Sequence, residues 1–292
     1  MKTLTIQEQG VLSQLELHTF GSGVPHVFFT AGIHGNEVTG VYVARRLIDY
    51  FTAHPPLKGT VSVIPTVNTT AMRCMQRRNP FDGLDLNRVF PGDPQGSFAL
   101  RLADLVYRET EGADILIDLH CCGQHGLPYI LSVYNESEKV RTLVQRITMP
   151  IAVRSEGTPG QLFTESTRKR DQAACIIELP SGTCGGAVNL PVGNQCFQAL
   201  LDLLRSEGVA EGAVEGAAPD FYGPLLDIDA PRAGLWMPQV KKGDPLTAGQ
   251  VVGTVDGTPV LAPADGMAMS VLPCSYLMPG DLWVMLYIQP EA

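Results

Sequence analysis

The stretch VFFTAGIHGNEVTGVYVARRLIDYF, residues 27–51, sets the fold class. It opens with Val27–Ala31, an uncharged apolar run that reads as a strand buried on both faces. From Glu37 to Phe51 the period changes, with Val38, Val41, Leu47 and Ile48 near helical spacing. Between the two lies AGIHGNE, where Gly32 and Gly35 let the backbone turn tightly. The alternation continues downstream. Strands are expected at 61–67 (weakened only by Pro65), 113–120, 128–134 and 173–179, and helices after a Ser97 cap, over about 135–147 and over 192–206. Strands alternating with helices imply βαβ units, hence an α/β fold: a mostly parallel mixed sheet with helices on both faces.

Composition bounds what such a fold can do. A chain of 292 residues allows one or two domains. Its 30 Gly and 22 Pro have no period, so they point to many turns. Lys plus Arg is 21 against 30 Asp plus Glu, a net charge of -9, which excludes a phosphate backbone as partner. No apolar run is long enough to span a bilayer, and MKTLTIQEQG lacks the apolar stretch of a signal peptide. The seven cysteines are an odd number without C-x-x-C spacing, and Cys121 and Cys122 are adjacent. Free thiols in a cytoplasmic protein are expected.

The pattern changes near Glu207. EGVAEGAVEGAAPDF suits a linker or a sheet edge, and short β-like runs between turn signals follow it. The expectation is a catalytic domain over 1–210 and a small all-β barrel or sandwich over 211–292.

Four features carry chemistry. His34 and Glu37 sit three residues apart where a buried strand ends and a helix begins, so together they can bind one cation. His120 ends the apolar strand ILIDLH, and Asp118 shares its strand face and can orient an imidazole. A His₂Glu set with one open position is the pattern of a catalytic zinc site. Glu178, in IIELPSG, follows four apolar residues, which is costly for a carboxylate unless it emerges at a site. Beside a metal it can take a proton from water and pass it to a leaving amine. Finally RRNPFDGLDLNRVFPG, residues 77–92, is a loop carrying Arg77, Arg78, Asn87 and Arg88. The Asn87–Arg88 pair suits a substrate carboxylate, and an upstream arginine suits an oxyanion.

Taken in order, His34-x-x-Glu37, the DLNR of residues 85–88, His120 and Glu178 resemble the succinylglutamate desuccinylase/aspartoacylase family of the zinc carboxypeptidase superfamily. The all-β tail is also similar to that family's C-terminal domain. The resemblance implies one zinc ion per chain held by His34, Glu37 and His120, with Glu178 as general base and acid. It further implies that Asn87 and Arg88 grip the substrate's carboxylate and that Arg77 or Arg78 stabilises the oxyanion. Arg168, ten residues before Glu178, matches an arginine that aspartoacylases use to hold the acyl group's own carboxylate. The implied activity is hydrolysis of a small N-acyl amino acid.

Other readings remain open at this level. Two histidines and a carboxylate also make the facial triad of Fe(II) oxygenases. VKKGDPLTAGQVVGTV followed by APADG looks like a lipoyl or biotinyl hairpin, with Lys241 and Lys242 as its attachment points, in a non-catalytic binding protein. The β tail could instead narrow the site mouth or join copies of the chain into a homo-oligomer. His125 follows His120 closely enough to line the site.

Overall fold

The computed structural model describes residues 1–8, 10–181 and 186–291. Cys184 of the expected free thiols and Gly182 of the IIELPSG stretch lie outside the described residues. The first strands are β1 (Lys2–Glu8), β2 (Val11–Ser22) and β3 (His26–Ala31); β3 leads into helix α1 (Val38–Ala53). Then come β4 (Gly59–Ile64), α2 (Thr69–Arg73), α3 (Phe98–Glu109), β5 (Ile115–Cys121), β6 (Tyr129–Ser132) and α4 (Glu138–Arg146). The unit closes with β7 (Ile151–Arg154), α5 (Leu162–Arg170), β8 (Ala173–Leu179), α6 (Leu190–Ser206) and β9 (Asp220–Tyr222).

These nine strands form one sheet in the order β1-β2-β4-β3-β5-β8-β6-β7-β9. Five of its eight pairings are parallel, so the sheet is mixed with a parallel centre. Alternation along each central strand divides its residues between two cores. Val27, Phe29, Ile117, Leu119, Cys175 and Ile177 face α1, α4 and α6. Phe28, Leu116, Ala174 and Ile176 face α3 and α5. Asp118 and His120 follow Leu116 at steps of two, and Glu178 follows Ile176, so all three face the α3/α5 side.

Three strands of that sheet differ from expectation in kind. β1 and β2 pair antiparallel at the edge and bury few large side chains, among them Leu4, Leu15 and Leu17, so their apolar alternation is weak. β6 runs antiparallel to β8, which reverses the parallel pattern next to the site. The acidic segment after α6 ends in β9, an edge strand paired with β7.

The C-terminal strands are β10 (Leu226–Asp229), β11 (Gly234–Pro238), β12 (Pro245–Leu246), β13 (Val251–Val255), β14 (Thr258–Leu261), β15 (Gly266–Val271), β16 (Ser275–Leu277) and β17 (Trp283–Ile288). They make two four-stranded antiparallel sheets, β10-β17-β15-β12 and β14-β13-β11-β16. Both contribute to one core around the buried Trp236, whose indole donates to the Leu272 carbonyl. This unit docks on the large sheet through Met269 and Ile288, which pack with Tyr129, Ile151 and Val153. Among the described residues no helix is long and apolar enough to cross a membrane.

Candidate active site

The C-terminal ends of β3, β5 and β8 meet the loop after α2, and each delivers one part of the site. After β3 the chain turns at Gly32, whose φ of +68° favours glycine. Gly35 then lies so close to α2 that a Cβ there would sit 2.0 Å from the Ala71 carbonyl carbon, so no larger residue fits. This tight passage places His34 beside the start of α1. Glu37 is the residue before α1, but its carboxylate does not cap the helix. It turns instead to accept the backbone N–H of Cys121, at 2.9 Å, at the end of β5.

His34 Nδ1 lies 2.8 Å from Glu37 Oε1, and His120 Nδ1 lies 3.0 Å from Glu37 Oε2. The two Nδ1 atoms are themselves 3.2 Å apart. Ligand atoms of His34, Glu37 and His120 all fall within 4.8 Å of one another, and all three residues are buried. The far nitrogen of each imidazole is held by a second carboxylate. His34 Nε2 lies 3.0 Å from Asp85 Oδ1, and His120 Nε2 lies 2.7 Å from Asp118 Oδ2. Asp118 is fixed in turn by the Thr30 hydroxyl, which donates at 2.8 Å.

This arrangement fits a divalent cation. Two like donor atoms facing each other at hydrogen-bond distance satisfy neither, whereas a cation between them and a carboxylate satisfies all three. Carboxylates on the outer nitrogens are the usual way to fix the ring and raise its basicity as a ligand. The charges agree. Burial alone would raise Glu37, but His120 and His34 outweigh it and hold its carboxyl well below the usual carboxylate range. Burial opposes protonation of His120, yet Asp118 and Glu37 push it well above its ordinary value.

Around this cluster the loop of residues 77–92 is anchored at several points. Asp82 accepts from Ser97 Oγ at 2.7 Å and from the Ala99 N–H at 2.8 Å. The N-terminus of α3 is therefore capped by Asp82, and the Ser97 side chain makes no cap bond itself. Arg77 Nε donates to Asp85 Oδ2 at 3.0 Å, and one terminal nitrogen lies 3.4 Å from Glu37 Oε1. Asn87 Oδ1 accepts from the Leu162 N–H at 3.1 Å, which turns its amide nitrogen toward His120. Arg88 is exposed and donates to the Asn87 carbonyl at 2.7 Å.

Glu178 is the register partner of His120 on the neighbouring strand. Its Oε2 is buried and, among the described residues, has no hydrogen-bond partner. Burial pushes its carboxyl up to about 7, with Glu37 adding to the shift and His120, His34 and Arg77 opposing it. A carboxylic acid poised there can exchange a proton near neutrality.

Residues 23–204 match the succinylglutamate desuccinylase/aspartoacylase catalytic domain family. The chain belongs to that family. An N-alpha-acetyl-L-2,4-diaminobutyric acid deacetylase of Halomonas elongata is 29% identical over 245 residues, which is 79% of this chain and 70% of that protein. In fold, the chain is similar to a succinylglutamate desuccinylase/aspartoacylase from Rhodobacter sphaeroides, with a TM-score of 0.82, 24% identity and coverage of 99% of this chain and 94% of the other. The product-bound ectoine utilization protein EutE (DoeB) of Ruegeria pomeroyi gives a TM-score of 0.80 at 20% identity, covering 98% and 93%. Homologues of this chain are thus deacylases of small N-acyl amino acids.

The structure brings His34, Glu37, His120, Glu178, Asn87 and Arg77 to one place. Arg78 points away, is exposed and donates to the Gly83 carbonyl at 3.2 Å. Arg168 is bound elsewhere: its guanidinium pairs with both Glu136 oxygens and donates to the Gly157 carbonyl at 2.8 Å. Lys242 Nζ donates to the Gly126 carbonyl at 2.8 Å, so it braces the loop after β5. Cys121 and Cys122 are not among the converging ligand atoms, and burial pushes the Cys121 thiol up to about 11. His125 lines a cavity of about 530 Å³ with Gln124, Ser181 and Asn189, next to the strand ends. A larger cleft of about 820 Å³, lined by Pro25, Asp114 and Gln172, lies at the opposite ends of the strands, away from the chemistry. Asp85, part of DLNR, is a site residue to which the sequence reading gave no role of its own. Its signal was present, because a carboxylate two residues before Asn87 in a site loop suits an imidazole partner.

Proposed function

We propose that this chain is a zinc-dependent amidohydrolase that removes the acyl group of a small N-acyl amino acid. The observation that carries this reading is the cluster of His34, Glu37 and His120 beside the buried Oε2 of Glu178, which has no partner among the described residues. His34, Glu37 and His120 would hold one zinc ion. A zinc ion there supplies Lewis acidity, lowering the pKa of a water towards about 7 and polarising an amide carbonyl.

The chain's own residues do the rest. Glu178 takes a proton from the attacking water, whose oxygen bonds to the acyl carbon. The same carboxyl then gives that proton to the amide nitrogen as the C–N bond breaks, releasing an amine and a carboxylic acid. Arg77 stands next to Glu37 and stabilises the oxyanion; Arg78 is turned away from it. Asn87, its amide oriented by the Leu162 N–H, and the exposed Arg88 receive the amino acid's carboxylate.

The acyl group is read as small and uncharged, acetyl before succinyl. Arg168 is engaged with Glu136 and backbone carbonyls, which leaves its charge compensated. The deacetylase from Halomonas elongata supports the same choice. Six free cysteines among the described residues suit a reducing cytoplasm. The C-terminal unit is taken as a small barrel or sandwich closed around Trp236, following a catalytic domain over about 1–210.

A deacylation screen of N-acetyl, N-succinyl and N-formyl amino acids with the zinc-loaded protein tests this reading. Turnover of N-acetyl substrates is expected. Absence of turnover with all three would overturn the reading, and a succinyl preference would overturn the acyl assignment.

A further inference from the structure

Tyr129 completes a row across three neighbouring strands. His120 on β5 is the register partner of Glu178 on β8, and Glu178 is in turn the partner of Tyr129 on β6. Directly opposed residues of an antiparallel pair share a face, with Cβ atoms about 4.5–5.5 Å apart. Tyr129 therefore stands beside Glu178, on the side away from His34, Glu37 and His120. Its ring is buried, packed with Met269 and Ile288 of the C-terminal unit. The chain that delivers it is braced from the same side: Leu127 N–H donates to the Met269 carbonyl at 2.8 Å, and Lys242 holds Gly126. Burial and the charge of Glu178 push the phenol well above its ordinary value, so it stays protonated and neutral around pH 7. A tyrosine hydroxyl in a largely buried setting gains from a hydrogen-bond partner.

We propose that the Tyr129 oxygen is a further catalytic group, accepting the substrate's amide N–H so that the nitrogen presents its lone pair to Glu178 Oε2. This role rests on the deacylase reading above. Once water has added to the acyl carbon, the nitrogen is pyramidal and can turn. Protonation is productive only when its lone pair faces the Glu178 proton, and a fixed N–H sets that orientation. The proton then moves from Glu178 to nitrogen, the C–N electron pair leaves with it, and the N–H held by Tyr129 stays on the departing primary amine. The carbon side is released as a carboxylic acid.

Tyr129→Phe deletes the hydroxyl and keeps the ring that Met269 packs against. The zinc-loaded full chain is assayed with an N-acetyl amino acid and with the matching O-acetyl hydroxy acid, an ester with no N–H. For the amide, kcat is expected to fall about 10–100-fold with little change in KM, while ester turnover, zinc content and thermal midpoint stay near wild type. Met269→Ala, which loosens the packing and leaves the hydroxyl, is expected to affect amide and ester alike. An unchanged amide kcat in Tyr129→Phe, or amide and ester falling together, overturns the role of Tyr129. A wild-type protein inert to both substrates overturns the deacylase reading, and the role of Tyr129 with it.

Discussion

Asp85 Oδ1 lies 3.0 Å from His34 Nε2, and the same carboxylate receives Arg77 through its other oxygen. One side chain from the loop thus orients an imidazole of the His34, Glu37 and His120 cluster and the Arg77 guanidinium beside it. Burial would raise the Asp85 carboxyl, but His34 and Arg77 outweigh it and hold the group well below the usual carboxylate range. It stays charged at neutral pH.

Removing that charge is expected to weaken the site without emptying it. In Asp85→Asn the ring keeps a neutral acceptor, so zinc affinity or turnover should fall about 10–100-fold, the usual cost of losing such an outer partner. Asp118→Asn should behave alike, because Asp118 holds His120 in the same way. Competition with a chromogenic chelator measures the affinity. Wild-type affinity in both variants would show that these carboxylates do not support the ligands.

Loss of a direct ligand is more severe. His34→Ala removes one of three converging donors and is expected to abolish both zinc binding and turnover. Chelation of the wild-type protein should abolish turnover reversibly, with zinc restoring it in the absence of oxygen. Full activity of His34→Ala would sink the metal assignment. Recovery with Fe(II) and not with zinc would favour an iron enzyme.

Much of this site was legible in the sequence because it sits at the ends of apolar strands. His34, His120 and Glu178 each interrupt an apolar run at the place where a parallel sheet exposes its C-terminal edge, and the cost of a buried polar group makes that interruption informative. Asp118 was legible for the same reason, through strand alternation. Periodicity could not show what depends on side-chain choice in a loop. Arg77 and Arg78 are neighbours of one chemistry, and only the fold turns one toward Glu37 and the other toward Gly83. Arg168 had the right spacing, but α5 carries it to Glu136. β1 and β2 went unread because their alternation buries few large side chains, and β6 gave no sign of its antiparallel direction.

The segment after α6 yields a prediction about stability. Asp202 is buried and accepts the N–H groups of Gly216 at 2.9 Å and Glu215 at 3.2 Å, with Thr148 and Arg205 as further donors. Burial would raise its carboxyl, but these donors outweigh it and hold the group below its ordinary 3.8. A depressed carboxylate contributes stability that is present above about pH 4 and is lost as pH falls through the folded value. Asp202→Asn is expected to cost about 1–3 kcal/mol at neutral pH, the range for breaking such a buried network. The difference should shrink on acidification, read by urea unfolding at pH 7 and pH 3. An equal loss at both pH values would count against a charge effect.

Glu178 carries the pH dependence. Its carboxyl is pushed up to about 7 mainly by burial, and a general base must be ionised to act. kcat/KM is therefore expected to rise with pH through an acid limb. A bound cation favours the charged form, so the limb falls at or below about pH 7. Glu178→Gln should lose about 10²–10⁴-fold in kcat, keep its zinc and lose the acid limb. The metal-free protein gives an independent readout with the opposite sign from Asp202. A carboxyl whose folded pKa is raised destabilises the fold as pH climbs from the ordinary 4.5 through about 7. Glu178→Gln removes that cost, so the metal-free variant should melt above the wild type at pH 8 and with little difference at pH 4. Wild-type kcat in Glu178→Gln would remove Glu178 from the reaction, and equal melting at pH 8 would mean that its burial exerts no strain on the fold.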